Sequence, residues 1–207
     1  MNEIFTIGYA GFDINSFISV LKKYKINSLI DVRSQPHSKF YKDFDKASLS
    51  ETLDKYHICY RNYYKEFGAR QSNVRYYPNG YLDFSMYVKS TEFLAGMDRL
   101  IKAMPLGFTF VLMCSEKDPI TCHRNIMVAK EFYHRGINVS NILSDGSTIS
   151  QDKIEERLVD IYYPNRDQLS FFDEPLSWDE MVKNAYIMQN EKIGYRLRSE
   201  EDDEGDE

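Results

Sequence analysis

The chain has 207 residues, 43% hydrophobic and 14% aromatic, which suits one ordinary domain with an appendage. It lacks a basic leader and any run near the roughly 18 apolar residues of a membrane helix, so a cytoplasmic protein without membrane contact is expected. Three cysteines without framework spacing predict reduced thiols, and the net charge of −6 reflects seven acids in residues 200–207.

The N-terminal part alternates strand and helix. An apolar run predicts a strand over 4–8 that ends at Gly8, and helical spacing predicts a helix over 14–24. A second strand is expected over 26–32, running into Arg33. This order predicts a right-handed βαβ unit in a parallel sheet, with the loops after both strands at its carboxyl edge.

Residues 33–81 predict an irregular, Tyr-rich insertion with a helix near 46–56 and a strand at 57–60. The segment holds 11 of the 30 aromatic residues and nine Lys/Arg against five Asp/Glu. Interleaved basic and Tyr residues favour a surface that stacks bases and neutralises phosphates. The alternative is that these rings fill a core of their own.

The second half continues the alternation. Helical segments are expected over 82–103, from Cys122 up to Gly136, and over 149–161, with strands over 108–113 and 138–143. The predicted domain covers 1–161. An extension over 162–198 with a helix at 177–188 follows, and residues 199–207 form a disordered acidic tail.

The polar loop after the strand at 108–113 organises the predicted site. We expect Thr121 to cap the next helix and Cys122 to lie in its first turn, where unpaired N–H groups favour a thiolate or an anion. Cys122 is then the candidate nucleophile, with His123 or Glu116 as acid/base. The alternative is that Cys122 is a buried structural thiol.

Two arginines are the candidate phosphate ligands. Arg33 follows the second strand and Arg124 follows His123, and their guanidinium forks beside free backbone N–H groups suit a phosphate.

A metal site is the remaining chemical alternative for this loop. Cys114, Cys122 and His123 are metal-ligating residue types within ten positions. Adjacent residues on a helix point about 100 degrees apart, so Cys122 and His123 would not reach one ion. We therefore expect no metal and no cofactor.

Four sequence blocks carry a family resemblance: TIGY at 6–9, DVR at 31–33, FG at 67–68 and CSEKDPITCHR at 114–124. Together they resemble the domain of unknown function 488 family. The resemblance implies a compact Rossmann-like, three-layer α/β domain with a mainly parallel sheet. It also implies a site built from these blocks, with these substrate-binding candidates: Gly8, Tyr9, Asp31, Arg33, Cys114, Lys117 and Arg124.

A narrower similarity concerns Cys122, His123 and Arg124. The tripeptide resembles the active-site Cys-His-Arg of O6-alkylguanine-DNA alkyltransferases, in which the thiolate accepts an alkyl group. Thr121 stands where that family carries Pro, so the similarity is a chemical analogy about thiolate activation.

The extension contains a peptide that resembles the pentapeptide by which bacterial replication and repair proteins dock on the sliding clamp. Its residues are Gln168, Leu169, Ser170, Phe171 and Phe172. Leu169 and Phe172 would anchor in apolar pockets, while Gln168 supplies a directional hydrogen bond. The alternative is that these side chains fold back onto the domain.

These features predict an enzyme that acts on a nucleotide or nucleic acid, with a thiolate at a helix N-terminus and an Arg-based phosphate site, in DNA repair. The alternative is a non-catalytic module that binds a nucleotide or nucleic acid through the same edge of the sheet, with Cys122 only structural.

Overall fold

The computed structural model describes residues 3–38, 40–166 and 176–197. They form a mixed α/β fold around one mostly parallel sheet, which confirms the predicted fold class at that level. The clamp-like residues 168–172 and the acidic tail lie outside the described residues. Within the described ranges, no helix combines the length and apolar character that crossing a membrane requires.

The sheet has six strands among the described residues. They are β1 (Glu3–Gly8), β2 (Ser28–Asp31), β3 (Cys59–Asn62), β4 (Phe110–Cys114), β5 (Asn138–Ile142) and β6 (Thr148–Ser150). Their order is β3-β2-β4-β1-β5-β6, with β5 and β6 antiparallel and the other pairs parallel. The predicted unit of β1, helix and β2 therefore spans β4, which lies between the two strands. This order differs from the 3-2-1-4-5-6 order of the dinucleotide-binding fold.

Eight α-helices surround the sheet in the described part of the chain. They are α1 (Ile14–Lys23), α2 (Lys46–Lys55), α3 (Tyr64–Phe67), α4 (Phe84–Tyr87), α5 (Thr91–Ala103), α6 (Lys130–His134), α7 (Gln151–Tyr162) and α8 (Trp178–Ile193). A π-helical segment, Arg124–Ala129, runs directly into α6. The helical pattern expected over 82–103 forms two helices, α4 and α5, and the Ser90 side chain caps α5 by accepting from the Phe93 N–H.

The hydrophobic core covers both faces of the sheet. Phe110 and Leu112 of β4 belong to one cluster, which includes side chains of α5, α6, α7 and α8. Val111 and Met113 belong to the other cluster, with α1 and α2. Because successive side chains of a strand point to opposite faces, a strand buried on both faces is apolar throughout. This explains the continuous apolar run that predicted β4.

Residues 33–81 contain a helix and a strand near the predicted places, as α2 and β3, together with the short helix α3. Their aromatic side chains divide between core and surface. Buried rings are Phe44, Phe67, Tyr76 and Tyr77, and exposed rings are Phe40, Tyr41, Tyr56 and Tyr64. The alternative that these rings fill a core therefore holds for the buried rings, whereas the exposed rings can contact a ligand.

Helix α8 packs on the domain. Its Tyr186 and Ala185 belong to the same hydrophobic cluster as α7. The Gln189 Nε2 donates to the Ile120 carbonyl at 2.6 Å, and Asn190 Nδ2 donates to the Leu82 carbonyl at 2.9 Å. These bonds place the residues at and just after the end of α8 beside the loops at the sheet edge.

Candidate functional site

The carboxyl ends of β1, β2 and β4 meet at one edge of the sheet. Gly8 is paired with Cys114, and Asp31 is paired with Met113. A cavity of about 340 Å³ opens there. Its wall is formed by Tyr9, Arg33, Ser34, Gln35, His37, Ala69, Arg70, Cys114, Ser115, Glu116, Thr121, His123, Ile193 and Tyr195. Ligands of open α/β sheets bind at such an edge.

Gly8 allows the loop after β4 to cross the end of β1. A Cβ atom at this position would lie 1.8 Å from the Glu116 carbonyl oxygen. The next N–H, that of Tyr9, donates to the Cys114 carbonyl at 3.0 Å. The close approach therefore requires glycine, and it brings Glu116 beside the cavity.

Arg33 is fixed in the cavity wall by a buried carboxylate. Its Nε and Nη2 donate to Asp31 at 2.9 and 2.7 Å, and the Tyr60 hydroxyl donates to the same carboxylate at 2.6 Å. Burial would lower the pKa of Arg33, but the hydrogen bonds and the charge of Asp31 raise it, so the guanidinium stays charged. Its third nitrogen, Nη1, is buried without a hydrogen-bond partner among the described residues.

Cys122 lies immediately before the helical turns rather than inside the first one. Its backbone is extended, with φ −129 and ψ 135, and its carbonyl accepts from the Ile126 N–H. Its Sγ accepts from the Arg124 N–H at 3.4 Å, so Cys122 takes the capping role expected of Thr121. Thr121 instead donates through Oγ1 to the Asp118 carbonyl.

The extended backbone at Cys122 brings the side chains of Cys122 and His123 together. This corrects the expectation that the two side chains would not reach one ion. The two side chains would diverge only if both residues were helical, and Cys122 is extended. The His123 Nδ1 lies 3.9 Å from Cys114 Sγ and 4.0 Å from Cys122 Sγ. The Cys122 thiol also donates to Glu116 Oε2 at 2.8 Å. We call Cys114, Glu116, Cys122 and His123 the thiol cluster.

The cluster shifts the pKa values of its members. Burial would raise the pKa of Cys122, but the hydrogen bond with Cys114 and the charge of Arg124 lower it to about 6. Burial and the neighbouring Cys122 raise the pKa of Cys114 well above its usual value. Burial would raise the pKa of Glu116, but His123 and the hydrogen bonds of both thiols lower it to about 2. Cys122 is thus the thiol that ionises first.

The candidate residues do not all face the cavity. Cys114, Glu116 and His123 form part of its wall, whereas Cys122 is 1% exposed and does not. Asp31 is buried beneath Arg33.

Arg124 and Lys117 also stand apart from the cavity wall. The Arg124 guanidinium is fully buried and donates to the carbonyls of Glu116 at 2.6 Å and Lys117 at 3.4 Å. Arg124 therefore holds the loop, and Lys117 contributes to the site through its backbone.

Sequence reasoning missed Arg70 and Tyr195 in the cavity wall. A Cβ atom at Gly68 would lie 2.8 Å from Ser34 Oγ, so glycine lets the two loops approach, and the Arg70 N–H donates to that oxygen at 2.9 Å. The Arg70 guanidinium lies 4.7 Å from the Tyr195 ring centroid. The basic residue just after the FG block was a usable signal for Arg70, while nothing local marks Tyr195.

Comparison with known proteins gives one match. Residues 13–130 match the family described as Domain of unknown function DUF488. The chain belongs to the DUF488 family. The matched range includes Arg33, Arg70 and the whole thiol cluster, while Gly8 and Tyr9 precede it. No curated protein and no solved structure matches the chain.

Proposed function

We propose that this DUF488 protein is an enzyme that binds a nucleotide or nucleic acid by a phosphate group in the cavity and acts on it with the thiol cluster. The observation that carries the proposal is the Arg33 guanidinium, which is 4% exposed yet has a nitrogen that finds no hydrogen-bond partner in the described part of the chain. A buried donor without a partner is costly, and a ligand oxygen would satisfy it.

A phosphate suits this wall better than a neutral ligand. Asp31 fixes one edge of the Arg33 guanidinium, and the Tyr9 ring lies 5.2 Å from the guanidinium carbon, so the guanidinium is held in one orientation. Arg70 adds a second guanidinium and forms no ion pair among the described residues. Glu116 and His123, in the same wall, supply groups for proton transfer to the bound substrate.

One exposed aromatic ring beside the cavity, together with the exposed ring that precedes it in the chain, favours a nucleotide over an inorganic anion. Tyr41 packs edge-on against the cavity residue Tyr9 at 5.7 Å between centroids. The preceding ring, Phe40, is 91% exposed. Stacking of a base on such a ring contributes about 1–3 kcal/mol. The three free cysteines of the protein suit the reducing cytoplasm. We keep a cytoplasmic location and a role in DNA repair as parts of the proposal.

Replacing Arg33 with Lys should weaken nucleotide binding by about 10- to 100-fold, because one charge-assisted hydrogen bond contributes about 1.5–3 kcal/mol. Lysine keeps a cation beside Asp31, whereas glutamate would place a second carboxylate against it. Isothermal titration with pyrophosphate, a nucleoside triphosphate and a short single-stranded DNA measures the loss. A steep salt dependence for the DNA identifies a polyanion partner.

Two controls accompany this titration. Arg135→Lys changes a surface arginine whose partner is Asp98 and should bind all three ligands like the wild type. Phe40→Ala should weaken binding of the nucleotide and the DNA but not of pyrophosphate. Unchanged affinity in Arg33→Lys would overturn the proposal. Binding that depends on Arg33 without any turnover of the ligand would favour the non-catalytic binding module.

We retain sliding-clamp docking as a separate proposal on the sequence alone, since residues 168–172 lie outside the described residues. A synthetic peptide of residues 164–176 should bind purified bacterial clamp with micromolar affinity in fluorescence anisotropy. Ala at Gln168 and Phe172 should remove binding, because buried anchors carry most of the energy of such contacts. Ala at Asn165 is the matched control. Equal binding of all three peptides, or none, would contradict docking.

A further inference from the structure

We infer that the thiol cluster is a binding site for a zinc-class divalent cation. Each of Cys114, Glu116, Cys122 and His123 offers one ligand atom, and these atoms all lie within 4.8 Å of one another. The inference deepens the proposed function, and it rests on that function for the catalytic use of the ion.

The spacing of the sulfur and nitrogen atoms is close to that of tetrahedral coordination. Glu116 Oε2, which accepts the Cys122 thiol proton at 2.8 Å, must move outward to coordinate the same ion. With Zn–S about 2.3 Å and Zn–N about 2.0 Å, a tetrahedral site separates sulfur from nitrogen by about 3.6 Å. The two Sγ atoms of Cys114 and Cys122 lie 3.9 and 4.0 Å from His123 Nδ1. A movement of a few tenths of an ångström brings each sulfur to the separation from Nδ1 that coordination of one ion requires.

Surrounding groups orient the ligands toward one centre. The His123 Nε2 lies 3.0 Å from the Val32 carbonyl, which can only accept, so Nε2 carries the proton and the Nδ1 lone pair faces the thiols. The Arg124 N–H donates to Cys122 Sγ. The Ser115 hydroxyl donates to Glu116 Oε1 at 3.0 Å, which leaves Oε2 for the cluster. Such outer contacts are characteristic of metal sites.

The donor set selects zinc among common cations. Two thiolates with an imidazole and a carboxylate suit zinc, whereas calcium and magnesium prefer oxygen ligands alone. On binding, each thiol releases its proton to solvent. Glu116 is the least buried of the four ligands, so its position is the one that a substrate oxygen or a water can take. A bound cation would polarise that oxygen.

The test is metal content and coordination of the full-length protein without nucleotide. Protein refilled with zinc after chelation should hold one equivalent per chain by mass spectrometry of the metal. X-ray absorption of the wild type should show two sulfur and two nitrogen or oxygen ligands. Cobalt should give a thiolate-to-cobalt band that Cys114→Ser and Cys122→Ser weaken and Cys59→Ser does not. Cys59, in β3, is the third cysteine of the chain and the matched control.

Zinc well below one equivalent, or a coordination shell without sulfur, would overturn the metal site. The wild-type measurements stand even if a serine variant fails to fold. Failure of this inference is separable from failure of the proposed function. If the protein binds zinc but no phosphate ligand, only the metal site is supported. If the protein holds no zinc but binds nucleotide in a way that depends on Arg33, only the proposed function is supported.

Discussion

Asp31→Asn is expected to lose about 3–5 kcal/mol of unfolding free energy, because removing one partner of a buried ion pair leaves the other charge uncompensated. Asp31 is fully buried and accepts hydrogen bonds from Arg33 and Tyr60. The amide NH₂ group of asparagine would face these donors without being able to accept from them. Urea denaturation followed by circular dichroism measures the loss.

The matched control is Asp98→Asn, which removes the same charge from a surface pair with Arg135. Exposed pairs contribute about 0–1 kcal/mol, so this variant should unfold close to the wild type. Equal losses in the two variants would mean that Asp31 does not hold Arg33 in the way described.

Gly8→Ala is expected to lose at least about 3 kcal/mol, in the range of buried steric and packing defects. The new methyl group would lie 1.8 Å from the Glu116 carbonyl oxygen and 3.1 Å from Arg124 Nη1. The loop must then move and the 2.6 Å hydrogen bond between Arg124 and Glu116 is lost. We expect both the melting temperature and the zinc content to fall.

Gly107→Ala separates this clash from ordinary glycine strain. Gly107 has φ +92 and open space around its Cβ position, so alanine there should cost about 1–2 kcal/mol from backbone strain alone. It should leave zinc content unchanged. A Gly8→Ala variant no less stable than Gly107→Ala would contradict the close approach of the two loops.

Local pattern predicted most elements of the fold but not the strand order. Apolar runs predicted β1 and β4, because a strand buried on both faces is apolar throughout. Helical spacing predicted α1 and α7, because a helix buried on one face repeats its apolar residues with the helical period. The insertion of β4 between β1 and β2 depends on pairing of Phe110 with Ile4 and with Ser28, which are 106 and 82 residues away, and no local period encodes this.

The sequence placed some residues of the candidate site at the sheet edge, but it did not predict how their side chains are arranged. Cys122, His123 and Arg33 were expected at one edge because parallel strands end together. The extended backbone at Cys122 and the buried position of Arg124 arise from tertiary packing, which turned an expected phosphate ligand into a support for the loop. Tyr195 reaches the cavity only because α8 packs on the domain.

A crystal structure of the full-length protein with a bound nucleotide tests the central claim most directly. We predict a phosphate oxygen within hydrogen-bond distance of Arg33 Nη1, in the cavity beside the thiol cluster. The chain has a larger cavity of about 570 Å³, lined by residues that include Lys130, Tyr133 and Trp178. A nucleotide bound there, with no ligand density beside Arg33, would contradict the account.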